Sequence, residues 1–135
     1  METEDEDSSL IGVPGMNVHK IRLAGPWTVV DGAGNSRRTR LPVDRLPGQD
    51  TRLARRFGRP GRLDTDERVW LVIAGLNGAT GILLNEAPLE LMKSSDGFRV
   101  DVTDRLVSGN VLEFQWSGDE PGGVAGPVWL ECVTG

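Results

Sequence analysis

The chain has one cysteine, one histidine and no tyrosine in 135 residues. The lone thiol, Cys132, leaves no internal disulfide open and fits a reducing compartment. One Cys and one His cannot assemble a zinc site. His19 precedes the first long apolar pattern and has no Gly-x-Ser-x-Gly elbow to serve, so no nucleophilic triad is legible. Long hydrophobic runs are missing too: none approaches the roughly 20 residues that span a bilayer. The first seven residues, Met1 to Asp7, are acidic and polar, the reverse of a signal peptide's basic and then apolar start. A cytoplasmic location without membrane contact is the expectation.

Glycine and proline are plentiful. The 18 Gly and 8 Pro punctuate the chain in a way that suits short strands and turns better than long helices. Charge is unevenly spread. Residues 1–36 carry two cations against six acids, residues 37–62 nine arginines against two acids, and residues 63–135 four cations against twelve acids. The net charge of −5 therefore hides a segment of +7. Such a segment suits a phosphate or polyanion, with Arg55 and Arg56 as candidate contacts, and equally suits packing against the acidic remainder of the same fold or against an acidic partner. Phe57 is its only aromatic residue, and no recognition motif is visible, which argues against nucleic acid.

Between Arg68 and Trp116 the apolar residues alternate. Val69, Leu71 and Ile73 share one parity, as do Ile82 and Leu84, then Phe98, Val100 and Val102, then Leu112, Phe114 and Trp116. Period two bounded by Gly, Asn, Asp and Ser reads as strands with one face on a core. Further strands are expected at Lys20–Val30 with Gly25–Pro26 as a bulge or edge, at Arg38–Val43, Thr51–Phe57 and Leu89–Met92, and at Pro127–Val133. Asn77–Gly78 predicts a hairpin turn, and Thr103 a helix N-cap. The expected organisation is an acidic leader over 1–15 and one domain over 16–135. That domain is all-β, an antiparallel β-sandwich.

The motif order resembles the N-terminal sugar-binding domain of family 2 glycoside hydrolases, the jelly-roll preceding the barrel in β-galactosidases and β-glucuronidases. Ile21 to Trp27 is similar to that domain's opening Leu-x-Gly-x-Trp strand, and Arg56–Phe57 to its Arg-x-Phe run. Arg68 to Leu76 resembles its central strand, and Ile82 to Asn85 its Val-x-Leu-Asn-Gly segment. Phe98 to Thr103 is similar to its Phe-x-x-Asp-Val-Thr signature, and Gly109 to Phe114 to its Gly-x-Asn-x-Leu strand. Gly122 to Leu130 resembles its closing Gly-Gly-Ile and final strand. The departures are Glu86 in place of the glycine after Asn85, the lack of tyrosine, and the absence of a barrel. The family's catalytic glutamates lie in that barrel, so hydrolase activity does not carry over. The resemblance implies a galactose-binding-like jelly-roll as a stand-alone, non-catalytic module, with carbohydrate as its ligand.

Individual residues are read from their chemistry. Asp101, Thr103 and Asn110 flank a corner where side-chain acceptors satisfy free backbone N–H groups. Asn85 is a turn residue that tolerates left-handed backbone. Cys132, beside Leu130 and Val133, is a small buried hydrophobe. Asp64, Asp66 and Glu67 form a solvated acidic loop, not the facing pair that glycoside hydrolysis needs. Asp96 is the best loop carboxylate for a structural calcium, but no metal, cofactor or catalytic residue is assigned. Trp27 and Trp116 are in phase with their apolar neighbours and belong to the core. Trp70 and Trp129 are out of phase and belong on outer faces, where an indole stacks on a sugar, anchors a protein partner or lies under the N-terminal segment of the same chain. The candidate contact residues are thus Trp70, Trp129, Arg55 and Arg56. The partners they imply are an oligosaccharide, another protein or a second copy of the chain, with an anion as a third option.

Overall fold

The computed structural model describes residues 17–46, 50–60, 67–94, 97–118 and 121–134. The acidic leader, Asp64, Asp66 and Asp96 lie outside the described residues. Fourteen strands are present among those described: β1 (Asn17–Arg22), β2 (Trp27–Val30), β3 (Ser36–Thr39), β4 (Val43–Leu46), β5 (Thr51–Gly58), β6 (Glu67–Ile73) and β7 (Leu76–Asn77), then β8 (Gly81–Leu84), β9 (Ala87–Pro88), β10 (Met92–Ser94), β11 (Gly97–Asp101), β12 (Gly109–Trp116), β13 (Gly122–Val124) and β14 (Val128–Thr134). A single short 3-10 turn, Thr103–Arg105, is the helical element among them. Among the described residues no helix is long and apolar enough to cross a membrane.

Two sheets form the layers. The first has the order β1-β14-β6-β11-β10, the second β3-β2-β5-β12-β8-β9, and a small third sheet, β4-β13-β7, accompanies them. Every described strand pair is antiparallel. The chain passes repeatedly from one large sheet to the other: β1 to β2, β5 to β6, β9 to β10 and β11 to β12 all change layer. The antiparallel sandwich expected from alternation is the architecture found.

Period two explains the core. Val69, Leu71 and Ile73 from β6 and Val128, Leu130 and Cys132 from β14 face Leu53, Ile82, Leu84, Leu112 and Phe114 of the second sheet. Trp27 stacks on Phe114 with centroids 5.6 Å apart, and Trp116 packs against the same ring. Each such pair adds about 0.5–1.5 kcal/mol beyond its burial. Both buried indoles satisfy their N–H: Trp27 donates to the Leu23 carbonyl and Trp116 to that of Asn77, each at 2.7 Å.

The corner after β11 is held by side chains. Asp101 Oδ1 accepts from the Thr103 amide at 2.9 Å and the Thr103 hydroxyl at 2.6 Å, and that hydroxyl oxygen accepts from the Val69 amide at 2.8 Å. Burial pushes the Asp101 carboxyl up, but the Thr103 bonds and the Arg68 guanidinium hold it below the usual aspartate range. Thr103 is the first residue of the turn and not its cap. Val102 occupies the cap position, and Asp101 supplies the acceptor instead. Asn110, buried, receives the Val107 amide at 2.9 Å and the Asn85 side-chain amide at 3.0 Å. Asn85 has φ 53°, as its turn role requires.

Four local expectations need correction. Arg38–Val43 is no single strand, since β3 ends at Thr39 and β4 begins at Val43, and Leu89–Leu91 lies between β9 and β10. Lys20–Val30 is not one strand: cis Gly25–Pro26 divides it, and its halves join different sheets. Asn77–Gly78 turns the chain, with Gly78 at φ +74°, yet it closes no hairpin, because β7 pairs with β13 and not with β8. Turn chemistry reports a reversal but not which strand receives the chain afterwards.

Candidate binding face

The outer face of the first sheet gathers the side chains left over once the odd–even pattern has filled the core. Register places Trp70 of β6 beside Glu131 of β14, and Glu131 beside Lys20 of β1. The next row holds Val72 beside Trp129, with Arg99 of β11 on one side and Arg22 of β1 on the other. Val72 is fully buried yet takes no part in the core between the sheets.

These side chains form one connected network. The Trp129 indole N–H donates to Glu131 Oε2 at 3.0 Å, and Arg99 Nη2 donates to Glu131 Oε1 at 3.3 Å. Arg99 lies over the Trp70 ring, 4.6 Å from its centroid, and Lys20 over the Trp129 ring at 5.1 Å. Glu131 is only 8% exposed, so its charge is held by neighbours more than by water. Arg68 extends the row to Asp101 at 2.9 Å and Asp104 at 3.7 Å, contacts too exposed to stabilise much. Both indoles are half-buried, and Met92, 69% exposed, stands at the sheet's edge. The face thus gathers two half-buried indoles, each with a cation over its ring, and a largely buried carboxylate within one patch.

The four residues singled out in the sequence do not share a site. Trp70 and Trp129 come together on this face through Glu131. Arg55 and Arg56 belong to the second sheet; they leave β5 on opposite faces, yet both line one groove beside Pro26. Arg55, opposite Leu112 and in phase with Leu53, turns inward, whereas Arg56, opposite Val111, turns to solvent. Sequence reasoning missed Glu131, Arg99 and Lys20. A signal for Glu131 was present: a carboxylate inside the apolar strand Val128–Val133, in phase with Trp129. Cys132 is buried, as read, and burial with the nearby Glu67 charge pushes its thiol up to about 11. His19 lies exposed within β1, not ahead of it.

No protein-family model and no curated protein matches the chain. Solved structures do match. Part of the FMN-binding β-glucuronidase from Facaelibacterium prausnitzii L2-6 aligns with 85% of this chain at TM-score 0.65 and 21% identity, using 22% of that protein. A β-D-mannosidase from Dictyoglomus thermophilum aligns with 83% at TM-score 0.67 and 14% identity, using 22% of its length. A β-D-glucuronidase from the same organism aligns with 93% at TM-score 0.67 and 11% identity, using 29%. Identities this low establish the fold alone. The resemblance drawn from seven short motifs is met at that level: this chain has the fold of a β-sandwich segment that glycosidases of this kind contain, and spans between a fifth and a third of their length.

Proposed function

We propose that the chain is a non-catalytic binding module whose Trp70–Trp129 face takes a saccharide. The observation that carries this reading is the linked set of two half-buried indoles, one shielded carboxylate and two cations on a single sheet face. Sugar rings stack on indoles through their C–H faces, and their hydroxyls bond to fixed carboxylates and guanidinium groups. Carbohydrate chemistry in the proteins that share the fold supports the ligand class by analogy only. Titration with mono- and oligosaccharides, followed by tryptophan fluorescence, tests the proposal. Saturable change that Trp70→Ala or Trp129→Ala removes supports it, and a flat response across the panel rejects it.

A second reading is an assembly surface for another protein or a second copy. Arg99 and Lys20 already lie over the two rings, so a sugar would have to displace them, and Met92 presents an exposed apolar group beside them. Under that reading the same two alanine variants convert an oligomer or complex to monomer in sedimentation measurements, with no response to sugar.

A further inference from the structure

The second sheet carries a feature the tryptophan face does not explain. β2 pairs with β5 only along Thr28–Ala54, Val29–Leu53 and Val30–Arg52. Immediately before this ladder stands cis Gly25–Pro26. A groove of about 500 Å³ opens there, with Pro26, Thr28, Ala54 and Val111 as its uncharged lining. Its remaining lining residues are Arg38, Arg55 and Arg56, and no described carboxylate lines it. Arg40 approaches from the side, its side chain against Gly25. Four arginines thus surround one dipeptide in a protein of net charge −5. Glu113 stands beside Ala54 in register without lining the groove, and its carboxylate accepts from Gln115 at 2.6 Å.

Arg55 is the telling member. It projects inward from a core-facing position, and among the described residues its guanidinium bonds only through Nη1 to the Gly25 carbonyl at 3.3 Å. Its buried Nε has no partner among the described residues. Burial, and then the neighbouring Arg40, lowers its basicity. A half-buried cation beside a second cation, with an orphan donor, weakens a fold unless something else holds it there. A guanidinium is also the side chain best shaped to grip oxyanions at two points.

We infer that the groove at Pro26, Arg38, Arg55 and Arg56 is a binding site for a tetrahedral oxyanion, phosphate or sulfate, free or as the ester of a larger molecule. Arg38 and Arg56 reach it from β3 and β5 on the open side, and Arg55 supplies the desolvated charge beneath. The site is independent of the tryptophan face and stands or falls separately from saccharide binding there.

The test is calorimetric titration of the full chain with sodium phosphate, sodium sulfate and glucose 6-phosphate at low, matched ionic strength, with sodium chloride as the reference. Saturable binding of phosphate or sulfate, absent with chloride, is expected. Arg38→Gln and Arg56→Gln should each weaken it roughly tenfold, the effect of losing one charge-assisted contact. Arg52→Gln removes the same charge from β5 outside the groove and should change affinity less than twofold. Arg55→Met should abolish binding and, in anion-free buffer, unfold no earlier than the parent, because it removes an uncompensated cation. Tighter binding of glucose 6-phosphate than of phosphate would mark the ligand as an ester, and equal binding as the free anion. Absence of saturable binding overturns the inference. So does an equal loss from Arg52→Gln, which would indicate a diffuse field, or binding confined to long polyanions such as heparin or single-stranded DNA. Should Arg55→Met fail to fold, the two surface variants and the Arg52 control decide.

Discussion

Removing the Glu131 carboxylate tests whether the tryptophan face is a connected unit. In Glu131→Ala the half-buried Trp129 N–H loses its acceptor at 3.0 Å, and Arg99 loses its partner at 3.3 Å. The first loss costs about 1–2 kcal/mol, the range for leaving a largely shielded donor unmade. The second is smaller, about 0.5–1 kcal/mol, because the Arg99 side chain is 28% exposed and water takes over part of the contact. Together they predict a destabilisation of about 1.5–3 kcal/mol. For a domain of this length 1 kcal/mol corresponds to roughly 3–4 °C, so thermal unfolding should fall by about 5–12 °C. Glu131→Gln keeps one acceptor and should lose about half as much. Circular dichroism melts give both numbers. In a double-mutant cycle with Arg99→Met the coupling should be about 1 kcal/mol. An alanine variant within 0.5 kcal/mol of the parent, or a glutamine variant as damaged as the alanine one, would refute the reasoning.

Three further outcomes follow from other parts of the fold. A methyl group at Gly122 would collide with the Trp116 indole nitrogen and the Asn77 carbonyl that it bonds, so Gly122→Ala should cost about 3 kcal/mol in urea unfolding. The Cys132 thiol, pushed up from 9.0 to about 11 by burial, is favoured neutral in the fold, so its contribution is intact below pH 9 and is lost as pH rises towards 11. That loss is roughly 2–3 kcal/mol, and Cys132→Ala should remove it from the alkaline limb of the stability profile. Asp101 has the opposite sign: its carboxyl is held low in the folded state, so its contribution is present above about pH 4 and is lost as pH falls through the folded value. Asp101→Asn should accordingly flatten the acid limb in melts taken from pH 5 down to pH 2.

Alternation made the sandwich legible because each face of a strand meets a different medium, and the parity of apolar residues records which. That record placed Trp27 and Trp116 in the core and Trp70 and Trp129 outside it. Asp101, Thr103, Asn85 and Asn110 were readable for a related reason, since short polar side chains at corners serve the backbone nearest them. What local pattern cannot hold is which strands become neighbours. The Glu131–Arg99 contact joins residues 32 positions apart, and the Trp70–Glu131 row exists only through the β6–β14 register. The inward parity of Arg55 was also written in Leu53 and Phe57. Its charge drew attention to it as a surface cation, whereas its packing leaves it half-buried with its Nε orphaned among the described residues.

The central claim is that the Trp70–Trp129 face binds saccharide, and tryptophan fluorescence during titration with a panel of mono- and oligosaccharides tests it most directly. With four Trp and no Tyr, the emission comes from the indoles alone. The account predicts a saturable change with at least one sugar, abolished by Trp70→Ala or Trp129→Ala while the circular dichroism spectrum is unchanged. A response that survives in both variants, or none across the panel, would contradict it.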